Sequence, residues 1–147
     1  MSLFLQRLPE FLAHHVFLAL AFAGLLAAII GNEIARRFRG FRELTPGALT
    51  LLINRENPLL VDLSSAADFE KGHIPTARHV ATSQFDPENK ELAKVKDLPV
   101  ALVCKTGATS AQAAARLVKA GFAKVFVLGG GMAAWREAAL PTAKGSK

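Results

Sequence analysis

The stretch "PVALVCKTGATSAQAAARLVKAG", Pro99–Gly121, combines three patterns that together decide the fold. A short apolar run predicts a buried strand, a loop of small residues follows it, and an amphipathic run predicts a helix. Cys104, the only cysteine of the chain, stands between the strand and the loop. Thr109 or Ser110 is expected to cap the helix, and Gly121 to end it. The stretch is therefore a strand, a loop and a helix with one thiol at the corner.

The same alternation of patterns covers the rest of the C-terminal part. Near-continuous apolar runs predict strands at Leu59–Leu63, Ala77–Val80, Pro99–Val103 and Lys124–Leu128, with a short opening strand at Phe41–Leu44. Between the strands, Thr45 with Pro46 predicts the start of one helix, and Ser65 with Gly72 predicts the two ends of another. The fold class is therefore α/β, with a small parallel sheet flanked by helices.

The N-terminal part contains a run of 22 residues, 11–32, without aspartate, glutamate, lysine or arginine. As a helix rising about 1.5 Å per residue it would be roughly 33 Å long, close to the ~30 Å hydrocarbon core of a bilayer. We predict one transmembrane helix over this run. Two alternatives stay open. A helix buried in a soluble core would find little room in a domain of about 100 residues. A cleaved signal peptide would carry its positive charges before the apolar region.

Positive charge follows the apolar run. The residues concerned are Arg36, Arg37, Arg39 and Arg42, whereas only Arg7 and the terminal amine precede the run. Because the side richer in lysine and arginine stays in the cytoplasm, we expect the N-terminus outside and the C-terminal domain in the cytoplasm. The arginines would also attract anionic headgroups, so membrane lipid is an expected partner.

The remaining composition excludes several classes of function. The formal net charge is +6, but much of the excess lies in the arginine cluster and the C-terminal tail. No basic helix with interleaved aromatics is present, so we expect no nucleic-acid partner.

A single cysteine allows no internal disulfide and suits a reducing compartment. The adjacent His14 and His15 cannot place both rings on one helix face. We therefore expect no metal ion, and no cofactor.

The cysteine loop, residues 104–110, is suited to hold an anion. Its small residues allow backbone N–H groups to turn inward, and the following helix adds its positive N-terminal end. The same field favours a thiolate over a thiol, and Lys105 adds a cation beside Cys104. In parallel sheets, ligands bind beyond the carboxyl ends of the strands, which is where Cys104 is predicted to lie.

Three motifs resemble one known family. The loop "CKTGATS" is similar to the active-site loop of rhodanese-type sulfurtransferases, matching it at Cys104, Lys105, Gly107 and Thr109. The segments "LLVDLSSAADFEKGHIPTARHV" and "VFVLGGGMAAWREAALP" resemble the upstream and closing segments of the same family. The resemblance covers about residues 41–141, and with the predicted span the chain looks like a single-domain, single-pass rhodanese of a bacterial inner membrane.

The resemblance implies a persulfide mechanism. Cys104 would be the catalytic nucleophile, and the substrate-binding loop would comprise Lys105, Thr106, Gly107, Ala108, Thr109 and Ser110. Asp62 would support the loop through a contact with Lys105 or with a backbone N–H. The expected partners are a small sulfur donor, namely thiosulfate or a persulfide, an external thiol or cyanide as acceptor, and a membrane or cytoplasmic protein as a candidate.

The sequence departs from the family pattern at three positions. Ser64 and Thr109 stand where many members have arginine, and Thr76 stands where glycine is usual, which predicts a changed turn. Two alternatives to the enzyme therefore remain. One is a catalytically weak rhodanese-like module that binds partners at the membrane. The other is a cysteine-dependent phosphatase or arsenate reductase, although the first arginine after Cys104 is Arg116, a full helical turn too far to grip a phosphate.

These expectations divide the chain into five parts. They are a short N-terminal segment (1–10), the transmembrane helix (11–32), a basic juxtamembrane linker (33–41), the rhodanese-like domain (42–141) and a basic tail (142–147).

Overall fold

The computed structural model describes residues 2–146, which fall into two compact units on either side of the Arg39–Gly40 junction. The N-terminal unit consists of two helices, α1 (Ser2–His14) and α2 (Val16–Arg37). Helix α2 has 22 residues and is long and apolar enough to span a membrane. It begins and ends five residues later than the predicted run 11–32. Helix α1 was not predicted, because its mixture of apolar and polar residues surrounds Pro9, which normally disfavours a helix interior.

The C-terminal unit is built on a five-stranded parallel sheet. Its strands are β1 (Arg42–Leu44), β2 (Leu59–Asp62), β3 (Arg78–His79), β4 (Val100–Val103) and β5 (Val125–Leu128). Their spatial order is β1-β5-β4-β2-β3, and every neighbouring pair is parallel. All five strands were predicted, to within one residue at each end.

Five helices connect and cover the strands. They are α3 (Pro46–Glu56), α4 (Ala66–Lys71), α5 (Lys90–Ala93), α6 (Ala108–Lys119) and α7 (Gly131–Glu137), with a 3₁₀ turn at Thr82–Gln84. Two predicted caps are confirmed: the side chain of Thr45 accepts a hydrogen bond from the N–H of Ala48, and that of Ser65 accepts one from the N–H of Asp68. Gly72 ends α4, as predicted.

Alternate residues of the central strand, β4, pack into two separate apolar layers, one on each face of the sheet. Val100 and Leu102 pack with Leu117 of α6 on one face of the sheet. Ala101 and Val103 pack on the other face with residues of α3, α4 and α7, including Trp135. All four residues of β4 are fully buried. Cys104, which follows β4 directly, continues the first set and belongs to the layer under α6.

The predicted cap of α6 is wrong. The helix begins at Ala108, with Gly107 as its N-cap in the left-handed conformation at φ 97°. Its other end is as predicted: Ala120 is the C-cap, and Gly121 follows it with φ 94° and donates its N–H to the carbonyl oxygen of Val118. Ser110 lies inside the first turn, where its hydroxyl oxygen lies 3.1 Å from the carbonyl oxygen of Gly107. Ser110 is therefore bound to the loop, and it does not begin the helix.

Thr76, where the resemblance predicts a changed turn, has a strained backbone. Thr76 has φ 76°, in the left-handed region that glycine occupies easily. The turn thus has a backbone conformation suited to glycine, and a β-branched side chain is held in it at a cost of about 1–2 kcal/mol.

Candidate active site

Cys104 lies at the carboxyl end of the central strand, where a parallel sheet opens toward ligands. Its residue surface is only 3% exposed. Asp62, at the end of β2, pairs with Val103, the residue before the cysteine. The thiol is therefore held between the sheet and the first turn of α6.

Hydrogen bonds from the cysteine loop converge on the sulfur. The N–H of Gly107 donates to Sγ of Cys104 over 3.0 Å, and the N–H of Ser110 donates over 3.4 Å. The Ser110 hydroxyl oxygen lies 3.3 Å from the same sulfur. Ser110 is fully buried, so water does not compete for its contacts with the sulfur. The loop thus presents backbone and hydroxyl donors to one anionic atom.

These contacts change the acidity of the thiol. Burial raises the pKa of Cys104, but hydrogen bonds from the Ser110 hydroxyl and from the backbone N–H groups of Ser110, Thr106 and Gly107 lower it and outweigh burial. The pKa of Cys104 is therefore below its ordinary value, and the thiolate, which is the reactive form, is favoured.

The first turn of α7 fixes the outer side of the loop. The N–H of Met132 donates to the carbonyl oxygen of Cys104 over 2.8 Å, and the N–H of Ala133 donates to that of Lys105 over 3.2 Å. Gly107 lies beside Gly130, whose backbone nitrogen would be 3.3 Å from a Cβ on Gly107. With its carbonyl groups bound by α7, the loop is free to direct its N–H groups toward the sulfur.

Lys105 does not contact Asp62. Its ammonium group lies 3.9 Å from Oδ2 of Asp68 on α4, and the Lys105 side chain is 71% exposed. Asp62 is completely buried, and its Oδ1 accepts a hydrogen bond of 2.8 Å from the backbone N–H of Ser64. Its Oδ2 has no hydrogen-bond partner among residues 2–146. Of the two contacts considered for Asp62, the structure contains one to a backbone N–H, outside the cysteine loop.

The other predicted loop residues lie at the surface of the site. Thr106 and Ala108 are exposed, and Thr109 is half-buried. The guanidinium carbon of Arg116 lies 5.7 Å from the ring centroid of Phe85, so this arginine contacts an aromatic ring. Lys105 is the only cationic residue in the cysteine loop.

Two parts of the site were missed by sequence reasoning. Asp68 had a visible signal, since Ser65 and Asp68 have the spacing of a capping box, but nothing in that pattern links Asp68 to Lys105. The contact of Gly131 with the loop had a weaker signal in the sequence, namely the glycine run 129–131. The run indicates a close approach of the backbone, but only the folded chain shows that the cysteine loop is what approaches Gly131.

The domain matches a known family and its members. A model of the Rhodanese-like domain matches residues 45–138. The protein YibN of Escherichia coli K12 is 37% identical over 142 residues, which cover 96% of this chain and 99% of that protein. A sulfurtransferase of Allochromatium vinosum is 36% identical over 90 residues, 61% of this chain and 82% of that protein.

The fold matches solved structures as well. A crystal structure of a thiosulfate sulfurtransferase from Pseudomonas aeruginosa superimposes with a TM-score of 0.62 at 27% identity. The match covers 73% of this chain and 20% of that one. The similarity therefore concerns the α/β domain and a part of a longer protein.

Proposed function

This chain belongs to the Rhodanese-like domain family, and from that premise we propose that it is a membrane-anchored sulfurtransferase that carries sulfane sulfur on Cys104. The observation that carries the proposal is the convergence of the Gly107 and Ser110 N–H groups on the Cys104 sulfur. Sulfurtransferases among the similar proteins support the class of activity.

In the first half of the reaction, the Cys104 thiolate attacks the sulfane sulfur of thiosulfate or of a persulfide. A new S–S bond forms on Cys104, and sulfite or a thiol leaves with the electron pair of the broken bond. The outer sulfur of the persulfide carries the negative charge, and N–H groups of the cysteine loop stabilise it. Lys105, Thr106, Ala108 and Thr109 form the exposed part of the loop that the donor meets.

In the second half, an external acceptor takes the outer sulfur. Cys104 is the only cysteine, so no second thiol of this chain can resolve the persulfide. A small thiol, cyanide or a thiol on a partner protein attacks the outer sulfur, and Cys104 returns as thiolate. Asp62 supports both halves, because its bond to the Ser64 N–H fixes the end of β2 beside Val103.

The anchor is helix α2. Its 22 residues would extend about 33 Å, enough to cross a bilayer. The similarity to YibN covers 96% of this chain and so includes the residues of α2. We propose that the domain, residues 42–141, lies on the cytoplasmic side of an inner membrane, because the arginines follow α2, and that these arginines contact anionic lipid.

A second function is favoured by one observation. Cys104 is 3% exposed, so a donor must reach the sulfur through the loop. A catalytically weak module that binds a protein partner at the membrane would have no need of such access.

The experiment is sulfur transfer by the full chain in detergent micelles, with thiosulfate as donor and cyanide as acceptor, followed as thiocyanate. The enzyme should turn over, and Cys104→Ser should be inactive at unchanged thermal stability, since a hydroxyl cannot carry a sulfane sulfur. Equal activity of both proteins would contradict the proposal. If neither thiosulfate nor a persulfide is turned over, the binding module is the better account.

A further inference from the structure

The cation beside the nucleophile is held by a fixed carboxylate. Asp68 lies in the first turn of α4, where the hydroxyl of Ser65 donates to its Oδ2 over 2.9 Å. Ser65 in turn accepts the backbone N–H of Asp68 over 3.1 Å, so the Ser65 hydroxyl contacts both the backbone and the carboxylate of Asp68 at the helix cap. Lys105 reaches the same oxygen at 3.9 Å. The exposed Lys105 side chain is thus paired with a carboxylate that is itself hydrogen-bonded at the start of α4.

This ion pair is reflected in the acidity of Asp68. The pKa of Asp68 lies below its usual range, first because Ser65 donates to the carboxylate and next because of the charge of Lys105. Lys71 and Arg136 act in the same direction, but more weakly. Lys105 is therefore the cation most strongly engaged by Asp68.

The charges at the cysteine loop affect how well the site can accept a dianionic sulfur donor. Thiosulfate is a dianion, and after it reacts a doubly charged sulfite has to leave. The sulfur-binding donors of the site, two N–H groups and one hydroxyl, are placed around a single atom. Lys105, the cation of the loop, is already paired with Asp68. Ser64 and Thr109 carry no charge. The site therefore compensates one negative charge much better than two.

A persulfide of an organic thiol brings less negative charge to the site than thiosulfate does. Its sulfane sulfur carries one negative charge at most, and its leaving group is a thiol. The anion that forms on Cys104 is then the only one that the loop has to stabilise. Such a donor needs no free cation at the entrance of the site.

We propose that the donor is a persulfide of an organic thiol rather than thiosulfate, and that Asp68 determines this preference by neutralising Lys105. The inference rests on the proposed sulfurtransferase function and names the substrate class of that same site. Asp68 acts through Lys105 and does not touch the donor, so it is a specificity-determining residue and not a catalytic one.

The transfer step balances without a further reactant. The Cys104 thiolate attacks the outer sulfur of R–S–SH, the S–S bond of the donor breaks, and its electron pair leaves on the thiolate R–S⁻. The proton of the outer sulfur passes to R–S⁻, so the products are the Cys104 persulfide anion and R–SH. The outer sulfur keeps its oxidation state, and no oxidant or reductant is consumed.

The test compares two donors on the full chain in detergent micelles, with cysteine persulfide and thiosulfate as the probes. The readout is the rate of formation of the Cys104 persulfide, measured by mass spectrometry at several salt concentrations. We expect kcat/KM for cysteine persulfide to exceed that for thiosulfate by about tenfold, which corresponds to one missing hydrogen bond to a charged group. Equal values, or a preference for thiosulfate, would overturn the donor assignment.

Asp68→Asn tests the role of the carboxylate, since asparagine can still accept the hydrogen bond of Ser65. It should raise kcat/KM for thiosulfate about threefold, as expected for an exposed ion pair, and the gain should shrink with added salt. The rate with cysteine persulfide should change much less. Glu70→Gln is the matched control, because it removes the same charge from an exposed position on the same helix, and it should leave both rates unchanged.

Lys105→Gln provides a second measurement if Asp68→Asn is poorly folded. It leaves the Asp68 carboxylate without its strongest cation, so thiosulfate should react about threefold more slowly and cysteine persulfide should be affected less. If neither variant changes the ratio of the two donors, Asp68 does not set the preference. If no persulfide forms from either donor, the sulfurtransferase function itself fails, which is a different result from an unaltered ratio.

Discussion

Gly131 lies against the carbonyl group of Cys104 so closely that a Cβ atom on Gly131 would overlap with the carbonyl oxygen. The same Cβ would lie 2.7 Å from the carbonyl carbon of Lys105 and 2.7 Å from the nitrogen of Thr106. This approach allows Met132 to donate its N–H to Cys104. The start of α7 thus positions the peptide groups on both sides of Lys105, and with them the loop that surrounds the sulfur.

Gly131→Ala should therefore impair the reaction more than the fold. The methyl group pushes the Cys104–Lys105 peptide away from α7, and a shift of about 1 Å at a reacting group costs on the order of 100-fold in rate. The rate of persulfide formation and the pH dependence of thiol alkylation should both change.

Gly121→Ala is the control for this variant. Gly121 also has a positive φ, 94°, but a Cβ there would meet no atom within 4 Å. Both variants carry a backbone strain of about 1–2 kcal/mol from the positive φ. Only Gly131→Ala adds an overlap with the backbone of the loop, so only this variant should alter the chemistry of Cys104. A similar loss of rate in both would mean that stability alone is responsible.

The acidity of Cys104 gives a second prediction. Because its pKa is lowered in the folded chain, alkylation by iodoacetamide should reach half of its maximal rate below the ordinary thiol value of about 8.5. Ser110→Ala removes a hydroxyl that lies 3.3 Å from the sulfur and should move the midpoint to higher pH. Ser83→Ala, at an exposed position away from the loop, should leave the midpoint unchanged. A midpoint near 9 in the unaltered chain would contradict the site geometry.

The same lowered pKa links stability to pH. A thiol whose pKa is lower in the folded than in the unfolded chain adds stability that is complete above the ordinary thiol pKa. That contribution is lost as the pH falls through the lowered pKa. The difference in free energy of unfolding between the chain and Cys104→Ser should accordingly shift in favour of the cysteine as pH rises, as measured by denaturant unfolding at a series of pH values.

Local signals predicted most of the fold. Strands β2, β4 and β5 are near-continuous apolar runs, and the caps at Thr45 and Ser65 are short-range hydrogen bonds, so each depends on neighbours in the sequence. The start of α6 was not predictable in the same way. There Ser110 is engaged by Cys104 and Gly107, contacts that exist only when the strand and the helix are placed against each other.

The candidate site, like the fold, was predicted only where local sequence determines it. The position of Cys104 after a central strand follows from the order of the elements, and the small residues of the loop indicate N–H groups turned inward. The pairing of Lys105 with Asp68 and the approach of Gly131 to Cys104 join residues about 25 to 40 positions apart. Their formation depends on the packing of α4 and α7 around the loop, which no local pattern encodes.

The strained turn at Thr76 predicts a stabilising substitution. Thr76→Gly should raise the free energy of unfolding by about 0.5–1 kcal/mol, since relief of a left-handed β-branched residue exceeds the entropy that glycine adds to the unfolded chain. Thr76→Ala, which keeps the Cβ atom, should raise the free energy of unfolding by much less. Thermal unfolding of the full chain in detergent measures both, and a loss of stability in Thr76→Gly would mean that the threonine side chain contributes more than the strain costs.

The proposed membrane anchor predicts an orientation. A reporter that is active only in the cytoplasm should work when fused to the C-terminus and fail when fused to the N-terminus, because positive charge follows α2. Replacing Arg36, Arg37, Arg39 and Arg42 with asparagine should reduce this difference. The reverse pattern in the unaltered chain would contradict the orientation, and recovery of most of the protein in a detergent-free soluble fraction would contradict the anchor.

The central claim, that Cys104 carries the transferred sulfur, is tested most directly by the mass of the intact chain. After incubation with cysteine persulfide and removal of the donor, the chain should gain about 32 Da, and peptide mapping should place the added sulfur on Cys104. Addition of a thiol should remove it, and Cys104→Ser should gain nothing. An unchanged mass, or the same gain in Cys104→Ser, would contradict the account.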